Sequence, residues 1–198
     1  MPPEEIRLDH QIIMDLVEPR CSVLDLGCGV GELLHRLIKE KKARGQGVEI
    51  DDRAIFACVA KGVNVLHGDI DSGLADYDDN SFDYLILNQS LQQIRNLEVV
   101  LKDALRVGKK VIVGFPNFAH YKARLRLAFA GKAPVTGSLP FQWYETPNLH
   151  FLSIADFIEY CRSRHIRIEK KVFANEHRVI RFLPNIFAQT GIFLISAN

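Results

Sequence analysis

The chain lacks most of the features that would place it in a special class. Its formal net charge at pH 7 is only +1 over 198 residues, so no global attraction draws it to nucleic acid or to an anionic membrane. No uninterrupted apolar stretch approaches the length of a membrane span, and the opening residues MPPEEIRLDH lack the basic region and apolar core of a leader. A soluble, cytoplasmic protein is expected, with neither nucleic acid nor membrane as a partner. Its four cysteines, Cys21, Cys28, Cys58 and Cys161, are scattered, with no C-x-x-C pair and no histidine spacing of a zinc site. Buried free thiols and no metal are the expectation. Repeats and low-complexity segments are missing too. What remains, 47% hydrophobic and 25% charged residues, is the makeup of one globular domain over 1–198.

The most informative residues are 23–34, VLDLGCGVGELL. Val23, Leu24 and Leu26 read as a buried strand, Asp25 sits near its end, and Gly27, Gly29 and Gly31 permit a tight turn with close approach of a ligand to main chain. A dinucleotide fingerprint needs G-x-G-x-x-G with pyrophosphate at the start of the next helix. Here Glu32 takes the third glycine's place, and a pyrophosphate would meet Asp25 and Glu32 together where the site should attract an anion. The Walker pattern is absent as well. S-adenosylmethionine carries a sulfonium and an ammonium, which acids suit, and D-x-G-x-G-x-G resembles the first motif of class I methyltransferases.

A glycine-rich turn alone is also an ordinary way to join strand to helix, and any single acid is an ordinary cap or solvated turn. Two further acids shift the balance. Glu49, before Ile50, closes a second apolar run where Rossmann-like folds place an acid on the ribose hydroxyls, and Asp69-Ile70 follows a third run where the class I pattern faces the adenine amino group. Cys28, within the loop, reads as a small apolar filler beside the cofactor.

Hydrophobic periodicity predicts an opening helix with a stripe of Ile6, Ile12, Ile13, Leu16 and Val17, then a helix on Leu33, Leu34, Leu37 and Ile38. Lys39, Lys41 and Lys42 at that helix's end complement its dipole. Strands are expected over 46–50, 63–67, 82–87, 110–115, 167–174 and 192–197, and helices over 53–60, 97–107, 121–129 and 154–164, the last with a Ser153/Asp156 capping box. This alternation implies an α/β, three-layer Rossmann-like class I methyltransferase fold: a mostly parallel seven-stranded sheet with an antiparallel edge and helices on both faces, binding ligands at strand carboxyl ends. A long insertion at about 116–150 breaks the alternation and is expected to cover the site.

The segments FDYLILNQSLQQI, LRVGKKVIVGFPNFAHYKARLRLAFAGKAPVTGSLPFQWYETPNLH and PNIF, with GVEID and GDIDSGL, closely resemble the MetW family of methionine-biosynthesis proteins. The likeness runs from about Ile6 to the end, and FPNFAH and LPFQWYETPN lie outside generic methyltransferase motifs. The resemblance implies a class I methyltransferase fold and support of the homoserine O-acyltransferase that activates homoserine. By position it puts Asp25, Gly27, Gly29 and Gly31 in the cofactor loop, Glu49 on the ribose, Asp69 with Ile70 at the adenine, and Asn88 beside the methionine portion or a methyl acceptor. Family members often carry an acid where this chain has Val30, which bears on loop charge and affinity.

Two functions stay open at this point. One is an S-adenosylmethionine- or S-adenosylhomocysteine-binding subunit that associates with the acyltransferase, with Phe118, Tyr121, Leu125, Ala128 and Phe129 as a partner face; core packing is the plainer account of that stripe. The other is a methyltransferase acting on a small molecule or protein, in which catalysis is mainly positioning and His120, Tyr144 and His150 would handle a proton; each also reads as a hydrogen-bonded loop residue, as Asn117 reads as a turn former. Lys122, Arg124 and Arg126 read as a solvated helix face or as the site of an anionic acceptor. Nothing resembling an Asn-Pro-Pro-aromatic motif follows the fourth strand, which disfavours DNA methylation.

Overall fold

The computed structural model describes residues 7–198; Ile6 of the expected opening stripe lies outside them. Helix α1 (Leu8–Leu16) precedes β1 (Ser22–Leu26), α2 (Glu32–Lys41), β2 (Arg44–Glu49), α3 (Asp52–Ala60), β3 (Val65–His67) and β4 (Phe82–Asn88). Then come α4 (Leu97–Val107), β5 (Gly108–Pro116), α5 (Tyr121–Ala130), α6 (Ile154–Ser163), β6 (Arg167–Ala174), the short α7 (Pro184–Phe187) and β7 (Thr190–Ser196). Single 3-10 turns follow β3 at Ile70–Ser72 and β4 at Leu91–Gln93.

The strands form one seven-stranded sheet in the order β3-β2-β1-β4-β5-β7-β6. β1 to β5 run parallel. β7 runs antiparallel to both β5 and β6, so the reversed strand lies one in from the edge. Successive strand side chains point to opposite faces, and the two faces bury separate clusters. Leu24, Leu26, Leu85, Leu87 and Val113 pack with Leu101 of α4 and Phe157 of α6, whereas Val23, Tyr84, Ile86 and Ile112 pack with Ile13 of α1 and Leu34 and Leu37 of α2. This is the expected three-layer α/β arrangement. The chain passes from β1 outward to β2 and β3, then crosses to β4 on the other side of β1, so a crevice opens between the carboxyl ends of β1 and β4.

Several boundaries differ from the sequence reading, each for a local reason. β2 starts at Arg44 rather than 46 because Arg44 and Gly45 pair with Ser22 and Val23. β5 starts at Gly108, which follows α4 directly in extended conformation with no intervening loop. α6 has the predicted capping box, Ser153 and Asp156 each accepting the other's backbone N–H. The insertion differs most from a packed core: within 121–151 only Ala123 and Leu139 are buried. The stripe Phe118, Tyr121, Leu125, Ala128, Phe129 is therefore not core, and we refer to 117–151 as the arm.

Candidate functional site

The turn after β1 is held by its neighbours. Gly27 and Cys28 donate backbone N–H groups to Val48 O at the end of β2. Gly27 has φ +76°, and a Cβ there would sit 3.0 Å from Cβ of Ser90. At Gly31, with φ +71°, a Cβ would meet Cys58 Sγ at 2.7 Å. Both positions thus require glycine on conformation and on space. Gly31 serves as the left-handed start of α2.

Two cavities flank Gly27 in the β1–β4 crevice. The larger, about 340 Å³, is walled by Glu49, Ile50, Gly68, Asp69, Ile70 and Asp71 on one side and Gln89, Ser90 and Gln93 on the other. The smaller, about 210 Å³, is walled by Asp25, Cys28, Gly29, Glu32 and Asn88 with Arg7 and His10 of the opening segment. Of the residues singled out in the sequence as cofactor-binding, Gly31 alone stands outside both walls. Among the described residues, the two cavities are walled by the carboxyls of Asp25, Glu32, Glu49, Asp69 and Asp71 against one guanidinium, that of Arg7.

The carboxylates have distinct tasks. Glu49 accepts from Gly29 N at 2.8 Å with one oxygen and from Ile50 N and Asp51 N with the other, so it ties β2 to the glycine turn. Asp69 spends one oxygen on Asp71 N. Asp71 accepts from Arg95 N and Asn96 N and so holds the start of α4. Asp25 falls on the apolar face shared with Val23 and α2. Burial, reinforced by the nearby Glu49 charge, pushes its carboxyl up to about 7. At neutral pH it is divided between acid and anion, a state that a nearby cation would resolve.

Beside Asp25, Asn88 Oδ1 and His10 Nδ1 are buried with no hydrogen-bond partner among the described residues. Asn88 donates its amide to Asp9 Oδ2 at 3.0 Å. Burial works upward on Asp9, but this bond and the Arg7 guanidinium, 2.7 Å away, together hold it below the ordinary range. Burial lowers His10, which keeps the ring neutral near pH 7. Burial raises the Cys28 thiol, whose sulfur lies 3.9 Å from that of Cys58. It is an uncharged filler, as the sequence suggested.

Arg7, His10, Gln89, Ser90, Gln93 and Asp71 were not singled out in the sequence as site residues, whereas Glu32 entered there only as an acid that a pyrophosphate would meet. The NQSLQQ run held a signal for three of them. It follows the strand facing β1, and Gln89 adopts φ +62°, an uncommon conformation for a side chain of that size. Gln89 also walls a third cavity of about 590 Å³, whose polar lining combines amides such as Gln92, Asn148 and Gln189 with Arg7, Asp9 and Glu176.

None of the three proton-handling candidates lines these cavities, although His150 touches two residues that do. His150 Nε2 is 2.8 Å from Ile94 O, and its backbone N–H donates to Gln92 O, clasping the arm to the 3-10 turn after β4. His120 begins α5, buried against the Tyr121 ring, and burial lowers its pKa, aided by Lys122. Tyr144 is exposed, edge-on to Trp143. Asn117 is more than a turn former. Wholly buried, it donates to Ala188 O and Asn185 O and accepts from Ala119 N and Ile154 N.

A family model described as methionine biosynthesis protein MetW matches residues 7–195. The chain belongs to the MetW family. It is 33% identical over 205 residues to the bifunctional methionine biosynthesis protein MetXA/MetW of Rhodopirellula baltica, covering 96% of this chain and 33% of that protein. The chain thus spans about a third of that relative's length. Among solved structures, a possible histamine N-methyltransferase of Thermotoga maritima matches with TM-score 0.68 and 19% identity, over 96% of this chain and 88% of that one. A SAM-dependent methyltransferase of Archaeoglobus fulgidus matches with TM-score 0.68 and 15% identity, over 94% and 93%. At those identities the likeness establishes that this MetW-family chain has the class I methyltransferase fold. Among the described residues no helix is long and apolar enough to cross a membrane, and no cluster of His, Cys, Asp or Glu is arranged to hold a metal ion.

Proposed function

We propose that this chain binds S-adenosylmethionine or S-adenosylhomocysteine in the paired cavities and, as a single domain, supports a homoserine O-acyltransferase in methionine biosynthesis. The observation that carries the ligand is the charge of the walls: five carboxylates, one of them held near neutrality, against one guanidinium. Such a cradle repels a diphosphate and attracts a cation. The fit extends to single groups. An ammonium has donors for Asp25, and Arg7 can meet a carboxylate. Glu49 retains acceptor capacity for a ribose hydroxyl, Asp69 has an oxygen left for an adenine amino group, and Gln89 and Ser90 close the opposite wall. Class I folds host many chemistries, so the site and not the fold bears this reading.

The partner rests on two supports, the family segments of the arm and a relative in which MetXA and MetW parts share one chain. We take the MetXA part to be the acyltransferase. The third cavity favours a second reading, transfer of a methyl group to a small acceptor. The bound sulfonium would supply an electrophilic methyl, and the cavity adjoining Gln89, walled by amides and by the charged Arg7, Asp9 and Glu176, would position a polar nucleophile. His120, Tyr144 and His150 do not line that cavity, so under this reading they act only if the arm moves.

Calorimetry with S-adenosylmethionine, S-adenosylhomocysteine and NAD on wild type, Asp25→Ala and Glu49→Ala tests the ligand. Both adenosyl compounds should bind, NAD should not, and unchanged affinity in both variants would refute the placement. Acyltransferase activity with and without the chain, at several adenosyl-ligand concentrations, tests the partnership. Methyl transfer to a broad acceptor panel separates the second reading from the first.

A further inference from the structure

Helix α5 is packed unlike any other long helix of the molecule. Its only buried residue is Ala123, while Leu125, Leu127 and Phe129 are exposed, Phe129 to 84%. Beside it lies an apolar groove of about 400 Å³ walled by Phe118, Leu127, Pro134, Leu139, Trp143 and Phe151, with Trp143 itself 74% exposed. A surface helix ordinarily hides one apolar stripe, and contiguous exposed apolar surface of this kind marks an interaction site.

The charge around it indicates what fits. The arm, 117–151, carries Lys122, Arg124, Arg126 and Lys132 against one acid, Glu145, in a chain whose net charge is only +1. All four are exposed. A second copy of this chain docked face to face would set these cations against themselves. The groove is concave and apolar, a receptacle for a protruding apolar side chain, which neither a lipid headgroup nor a nucleic-acid backbone presents.

We propose that α5 and this groove form the docking surface for the acyltransferase, which would seat an apolar side chain in the groove within a rim of its own carboxylates. The proposal rests on the partnership argued above and adds its location and chemistry. A relative that carries both parts in one chain keeps two such surfaces at high effective concentration.

The test is binding of the purified chain to the homoserine O-acyltransferase from the same source, measured at low and high salt. One variant combines Phe129→Ser with Trp143→Ala; another combines Lys122→Glu with Arg126→Glu. Neither touches the cavities at the glycine turn, and unaltered thermal unfolding shows that each is folded. The apolar variant should bind on the order of 30-fold more weakly. The charge-reversed variant should lose about tenfold, chiefly in association rate and most at low salt. Equal affinity of wild type and both variants would overturn the docking surface while leaving the partnership intact. No binding by wild type would overturn the partnership and the docking surface together. If the same substitutions instead released single-stranded RNA, phosphatidylserine vesicles or a homodimer while the acyltransferase bound every form alike, the surface would belong to that other occupant and the proposal would be wrong.

Discussion

Two regions depart from the near-neutrality of this chain, and they do so in opposite ways. At the glycine turn the carboxylates are gathered into concave walls, and the deepest, Asp25, is kept near its midpoint by burial. On the arm the cations stand in water around apolar side chains that nothing among the described residues covers. The first region spends folding stability on a charge that a small cation would satisfy. The second leaves apolar surface exposed to solvent, and only another macromolecule is large enough to cover it. A site for a small ligand therefore differs from a site for a protein less in composition than in which side of the surface holds the unmet requirement.

Replacing Asp25 sharpens that contrast most. Asp25→Asn should weaken S-adenosylmethionine binding about 30-fold at pH 8 while making the ligand-free protein more stable. The sign follows from linkage. The folded carboxyl titrates at about 7 against 3.8 for the free side chain, so its stability contribution is complete below pH 4 and is lost as pH rises through 7. The variant's gain should reach roughly 2 kcal/mol or more at pH 8 and vanish near pH 4, as read by thermal unfolding at both values. A variant less stable than wild type at pH 8 would show that Asp25 is a structural group.

Asn117→Ala tests the opposite kind of residue. It removes buried bonds to Ala188 O, Asn185 O, Ala119 N and Ile154 N, so the protein should lose about 2–3 kcal/mol in denaturant unfolding with adenosyl-ligand affinity unchanged. A smaller effect comes from pH alone. Affinity for S-adenosylmethionine should rise by up to about tenfold per unit below pH 7 and level off above it, and Asp25→Asn should flatten the profile. The smallest effect is expected on the arm. Trp143→Ala should shift stability by no more than about 0.5 kcal/mol, since its ring is exposed; a large loss of stability would mean that the arm is part of the core.

The cradle was legible in the sequence because it is built from local patterns. An apolar run fixes a strand, a glycine series fixes the turn, and acids near the ends of successive runs fall near strand carboxyl ends. Asp25 and Glu49 were thus placed at the crevice from the runs and Asp69 from likeness to the class I pattern, and all three line the cavities. The opposite wall was not. Gln89, Ser90 and Gln93 face those acids only because β4 pairs with β1 after a crossover, and Arg7 and His10 reach the smaller cavity only because α1 packs against α2 and β7. Pairings between residues far apart in sequence leave no local signature. The helical spacing of 121–129 was legible as well, but spacing cannot distinguish a stripe facing a core from one facing water. Both faces of the sheet are already filled by residues of α1, α2, α4 and α6, and α5 buries only Ala123.

The sequence by itself determined the alternation of strands and helices, the glycine turn and the sign of the charge at the strand ends, because each depends on residues within a few positions of one another. Only the tertiary structure decided that His150 clasps a turn, that Asp25 is buried enough to hold a proton near neutral pH, and that the arm leaves its apolar face in solvent. Each of those depends on which distant segments exclude water from a side chain, and that exclusion exists only once the layers are packed.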